Sequence, residues 1–279
     1  MKISEVMTPD PIVIEVPNRR SLLLRLMAKN RKTGLPAVKK GTMEFVGMVT
    51  REDILANPDI NQVALLTNKN CSKVSPDEKI ESAIKIITTT GKRHLPVVKG
   101  RKVVGIITPT NLLNVIISKG VKTPVSKLKT RPCVPAWRET PISVVAEIMR
   151  ITGINALVVL DNAGKITGIV TDRDILNLTM IERFTEESLS GSGEDNDPWS
   201  WEGIRDLQTS HRSESRVNLP PIPVDQIMTR NPVSVFERAT ASLAAELMLK
   251  YDYSQLPIRD NDDRLCGMCY DIDLIRCLL

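Results

Sequence analysis

The sequence of 279 residues is poor in the side chains on which many catalytic and nucleic-acid sites depend. Aromatic residues make up 3% of it, which argues against the base-stacking platforms that bind single strands. Its two histidines, His94 and His211, are too few for the usual acid–base or metal chemistry. It also contains neither a G-x-x-x-x-G-K-[ST] phosphate loop nor a G-x-S-x-G elbow. We therefore predict a protein that is not an enzyme and holds no metal.

Long apolar runs and a disulfide pattern are missing as well. No apolar run approaches the roughly 20 residues that cross a bilayer, and the N-terminus MKISEVMTPD lacks the apolar core of a signal peptide. The five cysteines are odd in number, which suits a reducing compartment. Cys266 and Cys269 form a C-x-x-C without a second pair or a nearby histidine, so we interpret them as core and surface residues of a strand. We expect a cytoplasmic protein with no membrane segment.

The charge of the chain is only a weak indication of what it binds. Charged residues make up 25% of the chain, and the formal net charge is +5 with a pI of about 8.9. Lysine and arginine are scattered among aspartate and glutamate, which favours a mixed, solvated surface over a basic face that meets phosphates or nucleic acid. The apolar share of 42% is enough for the cores of two ordinary domains.

One short stretch occurs four times. GMVTREDIL begins at Gly47, GIITPTNLL at Gly105, GIVTDRDIL at Gly168, and a degraded copy, GMCYDIDLI, at Gly267. Successive glycines are 58, 63 and 99 residues apart. The first two spacings indicate a repeat of about sixty residues, and the third implies an insertion of about forty.

The segments around each copy follow one order. An opening extended segment such as DPIVIEV precedes an amphipathic helix such as SLLLRLMAKN. A short apolar strand, GLPAV, HLPVV, NALVV or QLPIR, then leads through a turn into a second strand and the junction helix. Each repeat is thus predicted to be strand, helix, strand, strand, helix. A unit this small can barely bury its own core, so the units should pair.

These motifs, in this order and with this period, resemble the cystathionine-β-synthase (CBS) domain family. The resemblance covers nearly the whole chain except about 182–223 and implies an α/β (α+β) fold of four βαββα units, paired into two Bateman modules that form a flat disc. A four-unit chain without a catalytic domain is similar to the γ regulatory subunits of AMP-activated protein kinases and to stand-alone archaeal four-CBS proteins. The implied first module is 1–120, with repeats at about 1–58 and 66–118. The implied second module is 121–279, with repeats at about 125–181 and 224–279 and an inserted linker at about 182–223.

The T-x-x-D motif at each junction has two interpretations. A threonine that caps a helix, with an acid at the third helical position, is a capping box, and Pro109 at a first helical position supports this. A helix N-terminus also attracts phosphate, and a carboxylate one turn further can accept hydrogen bonds from two ribose hydroxyls. Aspartate rather than glutamate at this position favours the ribose role. The two interpretations do not exclude each other.

In the resembled family the aspartate of this motif holds the ribose hydroxyls, and the threonine lies close to the phosphates. Carried over, the resemblance implies ribose ligands Asp53, Asn111, Asp174 and Asp273, and phosphate ligands Thr50, Thr108, Thr171, Arg51, Arg173, Arg93 and His94. Repeats one and three keep the full pattern. Repeat two has an asparagine in place of the acid, and repeat four has Tyr270 in place of the threonine.

The short apolar strands GLPAV, HLPVV, NALVV and QLPIR are called LP strands, after the Leu-Pro that three of them contain. Basic residues before these strands distinguish the two halves of the chain. Repeat one has KNRKTGLP and repeat two has GKRHLP, whereas repeats three and four have no base there. In the family, bases at this place reach phosphates in the cleft shared by a pair of repeats, so the resemblance implies that the first module takes the more highly charged nucleotide. For His94, a packed surface residue and a phosphate ligand remain equal alternatives.

The insertion has its own alternatives. Its composition is that of a flexible linker, but Trp199 and Trp201 are costly to leave in water. It is interpreted either as a linker that docks locally or as a lid or partner-binding segment.

The leading hypothesis is a non-catalytic regulatory sensor that binds AMP, ADP or ATP in the clefts between paired repeats and requires no cofactor. S-adenosylmethionine or a related adenosyl compound is the alternative ligand. Such a regulator needs a protein partner, which the sequence does not identify, and a homodimer is a further assembly to consider. The alternatives are a structural scaffold with vestigial sites, and a nucleotide-modulated regulator that binds nucleic acid through its basic N-terminal half.

Overall fold

A computed structural model describes residues 1–30, 32–57, 60–128, 133–171, 174–175 and 219–279 of the chain. The chain divides into two compact units. Unit 1 consists of Met1–Lys122 together with Asp271–Leu279, and unit 2 consists of Thr123–Tyr270. Unit 1 therefore holds the first two repeats, and unit 2 holds the third and most of the fourth.

The described elements are short strands and helices in alternation. The strands are β1 (Thr8–Pro9), β2 (Ile14–Val16), β3 (Gly34–Lys39), β4 (Phe45–Thr50), β5 (Leu95–Lys99), β6 (Lys102–Ile107), β7 (Pro135–Trp137), β8 (Ala156–Leu160), β9 (Ile166–Thr171), β10 (Thr229–Arg230), β11 (Val235–Phe236), β12 (Gln255–Arg259) and β13 (Leu265–Tyr270). The α-helices are α1 (Arg20–Lys29), α2 (Arg51–Ala56), α3 (Val63–Leu66), α4 (Ile80–Thr90), α5 (Pro109–Ser118), α6 (Ile142–Thr152), α7 (Ala241–Tyr251) and α8 (Asp271–Leu274). Short 3₁₀ helices lie at Ile3–Glu5, Val125–Leu128, Val224–Gln226 and Ile275–Leu278.

The sheets repeat one topology. In repeats one, three and four the opening strand runs parallel to the LP strand, and the LP strand runs antiparallel to the strand that precedes the junction; these are β2-β3-β4, β7-β8-β9 and β11-β12-β13. In repeat two the opening strand is reduced to a single parallel bridge between Val74 and Val97, beside the antiparallel pair β5 and β6. The predicted α/β fold of βαββα repeats is confirmed.

Helix α4 illustrates why the segments between the strands are helical. Its buried residues Ile80, Ala83, Ile84 and Ile87 recur with a helical period and form one apolar face. The helix ends at Gly91, whose φ of 70° is left-handed and favours glycine. Helix α6 has the same length and ends at a left-handed glycine in the same way.

The last nine residues of the chain, Asp271–Leu279, form the C-terminal segment of unit 1. This segment packs against α4 and α5. Its buried apolar side chains are Ile272, Leu274, Ile275 and Leu278. The sequence places these residues in a second module of 121–279, but in the structure they group with unit 1, because their apolar side chains are buried against its helices. The pairing of repeats into modules stays a prediction.

Two sequence expectations concern residues outside this description. The insertion residues Trp199 and Trp201, and the predicted phosphate ligand Arg173, lie outside the described residues. Among the residues that are described, no helix is both long and apolar enough to span a bilayer.

Candidate ligand-binding junctions

In repeat one, a reciprocal set of hydrogen bonds joins the end of β4 to the start of α2. The N–H and the hydroxyl of Thr50 donate to Oδ2 of Asp53 at 2.8 and 2.7 Å, and the N–H of Asp53 donates to Oγ1 of Thr50 at 3.3 Å. This is the capping box that the sequence predicts. The box uses only Oδ2 of the half-buried carboxylate, and no described residue donates to Oδ1.

Repeat three has the same carboxylate arrangement at the end of β9. The N–H and the hydroxyl of Thr171 both donate to Oδ2 of Asp174 at 2.7 Å. Asp174 is half-buried, and no described residue donates to its Oδ1. The two complete T-x-x-D motifs thus place one carboxylate oxygen in the cap and leave the other facing away from it.

Repeat two keeps the cap, but the second polar atom of its capping side chain is a hydrogen-bond donor instead of an acceptor. Oδ1 of Asn111 accepts the N–H and the hydroxyl of Thr108, both at 2.9 Å. Its Nδ2 donates to Oγ1 of Thr8 at 3.1 Å. Pro109 is the first residue of α5, as predicted. Where Asp53 offers an acceptor, repeat two offers a donor that is already bonded to Thr8.

Repeat four differs more strongly. Its acid, Asp273, is 1% exposed and lies in α8, within unit 1, with its Oδ1 3.8 Å from Nε of Arg276. Tyr270, which replaces the capping threonine, is the last residue of unit 2. A carboxylate buried to this degree is poorly placed to meet a ligand from solvent.

The glycines that begin the junction motifs of repeats one to three have a packing role. A Cβ on Gly47 would collide with the backbone carbonyl of Asn68, and one on Gly105 would collide with the side chain of Met7. In unit 2 a Cβ on Gly168 would meet Met228. In each case the contacting segment leads into another repeat of the same unit, so the repeated glycine lets the two repeats of a unit approach closely.

The residues before the two LP strands of unit 1 contact each other. Oγ1 of Thr33 and Nε2 of His94 are 3.1 Å apart, within hydrogen-bond distance. The His94 ring also lies against Gly34, at 2.8 Å from the position a Cβ would take. The N–H of Arg51, the first residue of α2, donates to the Thr33 carbonyl at 2.8 Å. His94 is therefore packed between the repeats and linked through Thr33 to the junction of repeat one.

Arg93, the neighbouring predicted phosphate ligand, is engaged elsewhere in unit 1. Its Nη1 donates to Oδ1 of Asp271 at 2.9 Å, and its Nη2 pairs with Oδ2 of the same carboxylate. Asp271 is 2% exposed and lies at the start of α8. The structure thus brings Arg93 to the C-terminal segment through a bidentate ion pair.

Sequence reasoning missed the two residues that organise this region, Thr33 and Asp271. A signal for the second was present: Asp271 occupies the motif position that Arg51 holds in repeat one, so an acid stands where that repeat has a base. Thr33 precedes the LP strand of repeat one, where the neighbouring bases are the stronger sequence signal.

Unit 2 contains a separate cavity of about 700 Å³ at the turn ends of its sheets. Its lining includes Cys133, Leu160, Gly164 and Cys266 and does not include the junction residues of repeat three. Of the C-x-x-C pair, Cys266 is half-buried and Cys269 is buried. No group of three or more metal-ligating side chains occurs among the described residues. The described part of this region therefore gives no support to a metal role for the pair.

Two units of repeated small sheets define a tandem-repeat α/β protein, in which threonine and aspartate or asparagine cap the strand-to-helix junctions of repeats one to three. The family model described as the CBS domain matches residues 3–58, 63–118, 125–180 and 224–279. The chain belongs to the CBS domain family and carries four copies of its domain.

Relatives and solved structures agree with this assignment. The uncharacterized protein MJ1404 of Methanocaldococcus jannaschii is 28% identical over 280 residues, which cover 98% of this chain and 61% of that protein. The chain thus spans about three fifths of that relative. A crystal structure of an uncharacterized conserved protein from Pyrococcus horikoshii matches with a TM-score of 0.71 and 22% identity, over 100% of both chains. That of MJ1225 from M. jannaschii, described as a candidate archaeal homologue of γ-AMPK, matches with a TM-score of 0.72 and 19% identity over 100% of both. These likenesses establish the fold.

Proposed function

We propose that the protein is a non-catalytic regulator that binds an adenosyl ligand, such as AMP, ADP, ATP or S-adenosylmethionine, at the junctions of repeats one and three. Membership of the CBS domain family supports this role. The observation that carries it is the difference between the two carboxylate oxygens of Asp53. Oδ2 caps the helix, whereas Oδ1 accepts no hydrogen bond from a described residue. A ribose hydroxyl is a donor that this oxygen can accept.

The two units differ in the charge they offer such a ligand. In unit 1, the exposed bases Lys32 and Lys92 stand before the LP strands, and His94 lies next to Thr33, which is bonded to the first residue of α2. The LP strand of repeat three is preceded by no basic residue. This supports a nucleotide with several phosphates in unit 1 and a less charged adenosyl compound in unit 2.

Regulation then follows from differential binding. A ligand can shift the arrangement of this protein, or its affinity for a protein partner, only by as much as its own affinity differs between the two states. Such a regulator therefore requires a protein partner whose activity or binding responds to the ligand.

The decisive variant is Asp53→Asn. An asparagine can keep the cap through its carbonyl oxygen, as Asn111 does in repeat two, but it replaces the outer acceptor with a donor. We expect a roughly tenfold or greater loss of nucleotide affinity in calorimetric titration, from losing a hydrogen bond to a charged group worth about 1.5–3 kcal/mol, in a variant that still unfolds cooperatively. Asp174→Asn should do the same for the ligand of unit 2.

The matched control is Thr50→Ser, which keeps both the hydroxyl and the carboxylate and should leave affinity within about twofold. If the parent chain binds none of AMP, ATP and S-adenosylmethionine, the junctions are helix caps only. The scaffold alternative would then stand, and the buried Asp273 and the occupied amide of Asn111 already favour it for repeats two and four.

A further inference from the structure

Two hairpin turns of unit 1 lie edge to edge. The turn between β3 and β4 meets the turn between β5 and β6: the N–H of Phe45 donates to the Arg101 carbonyl at 2.8 Å, and the N–H of Val103 donates to the Met43 carbonyl at 2.9 Å. Glu44 and Lys102 stand opposite each other in this short antiparallel contact. Paired chains run about 4.8 Å apart, so the side chains of both turns form one continuous surface.

This surface is strongly basic. It presents five exposed cationic side chains, which we call the basic turn pair: Lys39, Lys40, Lys99, Arg101 and Lys102. Two carboxylates lie within it. Glu44 pairs with Arg101 at 3.0 Å, and Oε1 of Glu15 accepts the N–H of Gly41 at 3.2 Å. Five cations against these two carboxylates leave a clear positive excess.

The corresponding turn pair of unit 2 is mixed in charge: Asp161, Asp260, Asp262 and Asp263 stand beside Lys165, Arg259 and Arg264. Lys165 and Arg264 form the corresponding bridge between its turns. Oδ1 of Asp161 accepts two backbone N–H groups of its own turn, and Oδ1 of Asp260 does the same in the other. Two of these acids, Asp161 and Asp260, are therefore turn caps, and a third, Asp263, pairs with Arg259.

The bases of unit 1 have no comparable role. Its turns reverse at Gly41 and Gly100, whose φ values of 71° and 62° are left-handed and suit glycine. None of the four lysines of the basic turn pair has a side-chain hydrogen bond or ion pair to a residue that the structure describes. The fold of the turns does not engage these four lysine side chains, so their charges are available to a partner outside the chain.

We propose that the basic turn pair binds the phosphate backbone of a double-stranded nucleic acid. The cations project from the tips of hairpins, whereas a single small phosphate compound is usually held in a concave site. No residue of the turns is a large exposed apolar side chain, although apolar insertion is typical of membrane-surface segments. Without exposed aromatic side chains, the turns also lack the stacking groups that hold single strands.

This surface is separate from the proposed nucleotide sites. Phe45 begins β4, and Thr50 ends it; Lys102 begins β6, and Thr108 follows its end. The basic turns and the capped junctions thus lie at opposite ends of the same strands. Nucleic-acid binding does not depend on the adenosyl ligand, and the failure of one proposal leaves the other standing.

The test is fluorescence anisotropy with labelled duplexes of about 20 base pairs, one of DNA and one of RNA, titrated with the full chain. Contact with three phosphates should raise the Kd about 40-fold between 50 and 200 mM salt. Lys39→Glu/Lys99→Glu should weaken binding at 50 mM salt by roughly tenfold or more. Because both lysine side chains are exposed, the unfolding temperature of this double variant should match that of the parent chain.

The control is Lys165→Glu/Arg264→Glu, which changes the net charge equally at the corresponding turns of unit 2. We expect it to bind duplexes within about twofold of the parent. Equal losses in the two variants would overturn the proposal, because they would indicate attraction to overall charge. Absence of duplex binding at low salt, or tighter binding to phosphatidylserine vesicles than to either duplex, would overturn it as well. A preference between DNA and RNA would identify the source of the phosphates.

Discussion

Arg93 and Asp271, 178 residues apart in the sequence, form a bidentate ion pair in unit 1. Asp271 is 2% exposed, and its Oδ1 also accepts the N–H of Ile272 at 2.7 Å. The pair joins the residue that precedes an LP strand to the first residue of the C-terminal segment. That segment is thereby held to unit 1 by charge at its start and by apolar packing along its length.

Removing the arginine should therefore destabilise the protein. Arg93→Ala leaves a buried carboxylate without its cation, and we expect a loss of about 3 kcal/mol in the free energy of unfolding measured with urea. Arg150→Ala is the control, because its pair with Glu147 is exposed and should contribute less than about 1 kcal/mol. Similar losses for both variants would contradict a specific role for the buried pair.

Asp271 and a ligand phosphate would compete for the guanidinium of Arg93. If Asp271 holds the guanidinium, Arg93→Ala should weaken ATP and adenosine binding to a similar degree in the parent chain. In an Asp271→Asn background the arginine is released, and its removal should then weaken ATP more than adenosine. Calorimetric titration of the four chains with both ligands gives the coupling between the two residues. A selective loss of ATP binding from Arg93→Ala alone would show that the ion pair does not compete.

The sequence predicts the local architecture of this protein better than its long-range contacts. The capping boxes at Thr50 and Thr108 follow from local spacing, because a cap joins residues three apart. The grouping of Asp271 with unit 1 does not, since an acid at a helix start indicates nothing about a partner 178 residues away. Likewise, the motif shows an asparagine at position 111, but only the fold brings Thr8 to its amide.

The junction glycines should differ in their tolerance of a methyl group. At Gly47 the added Cβ would meet the backbone carbonyl of Asn68, which is fixed because Asn68 and Met48 exchange two hydrogen bonds. At Gly105 it would collide with the side chain of Met7, which can move, and the nearest backbone atom, the Thr8 carbonyl oxygen, is 3.1 Å away. We expect Gly47→Ala to cost about 3 kcal/mol of unfolding free energy and Gly105→Ala about 1 kcal/mol.

Urea unfolding of the two glycine variants measures this difference. The reverse order of stability, or no loss in Gly47→Ala, would mean that the two repeats of unit 1 do not approach as closely as the structure has them.

The rate at which the thiol of Cys277 is alkylated at different pH values measures how well the C-terminal segment is packed. Burial raises the pKa of Cys277 from its ordinary value of 9.0 to about 11. Because the folded state favours the protonated thiol, this contribution to stability is complete below pH 9 and is lost as the pH rises to about 11. Since only the thiolate reacts, alkylation at pH 8 should be about 100-fold slower than in the unfolded chain. Iodoacetamide labelling, followed by mass spectrometry of the peptide that contains Cys277, should show a rate that rises up to about pH 11. A plateau near pH 9 would mean that the segment is not buried in solution.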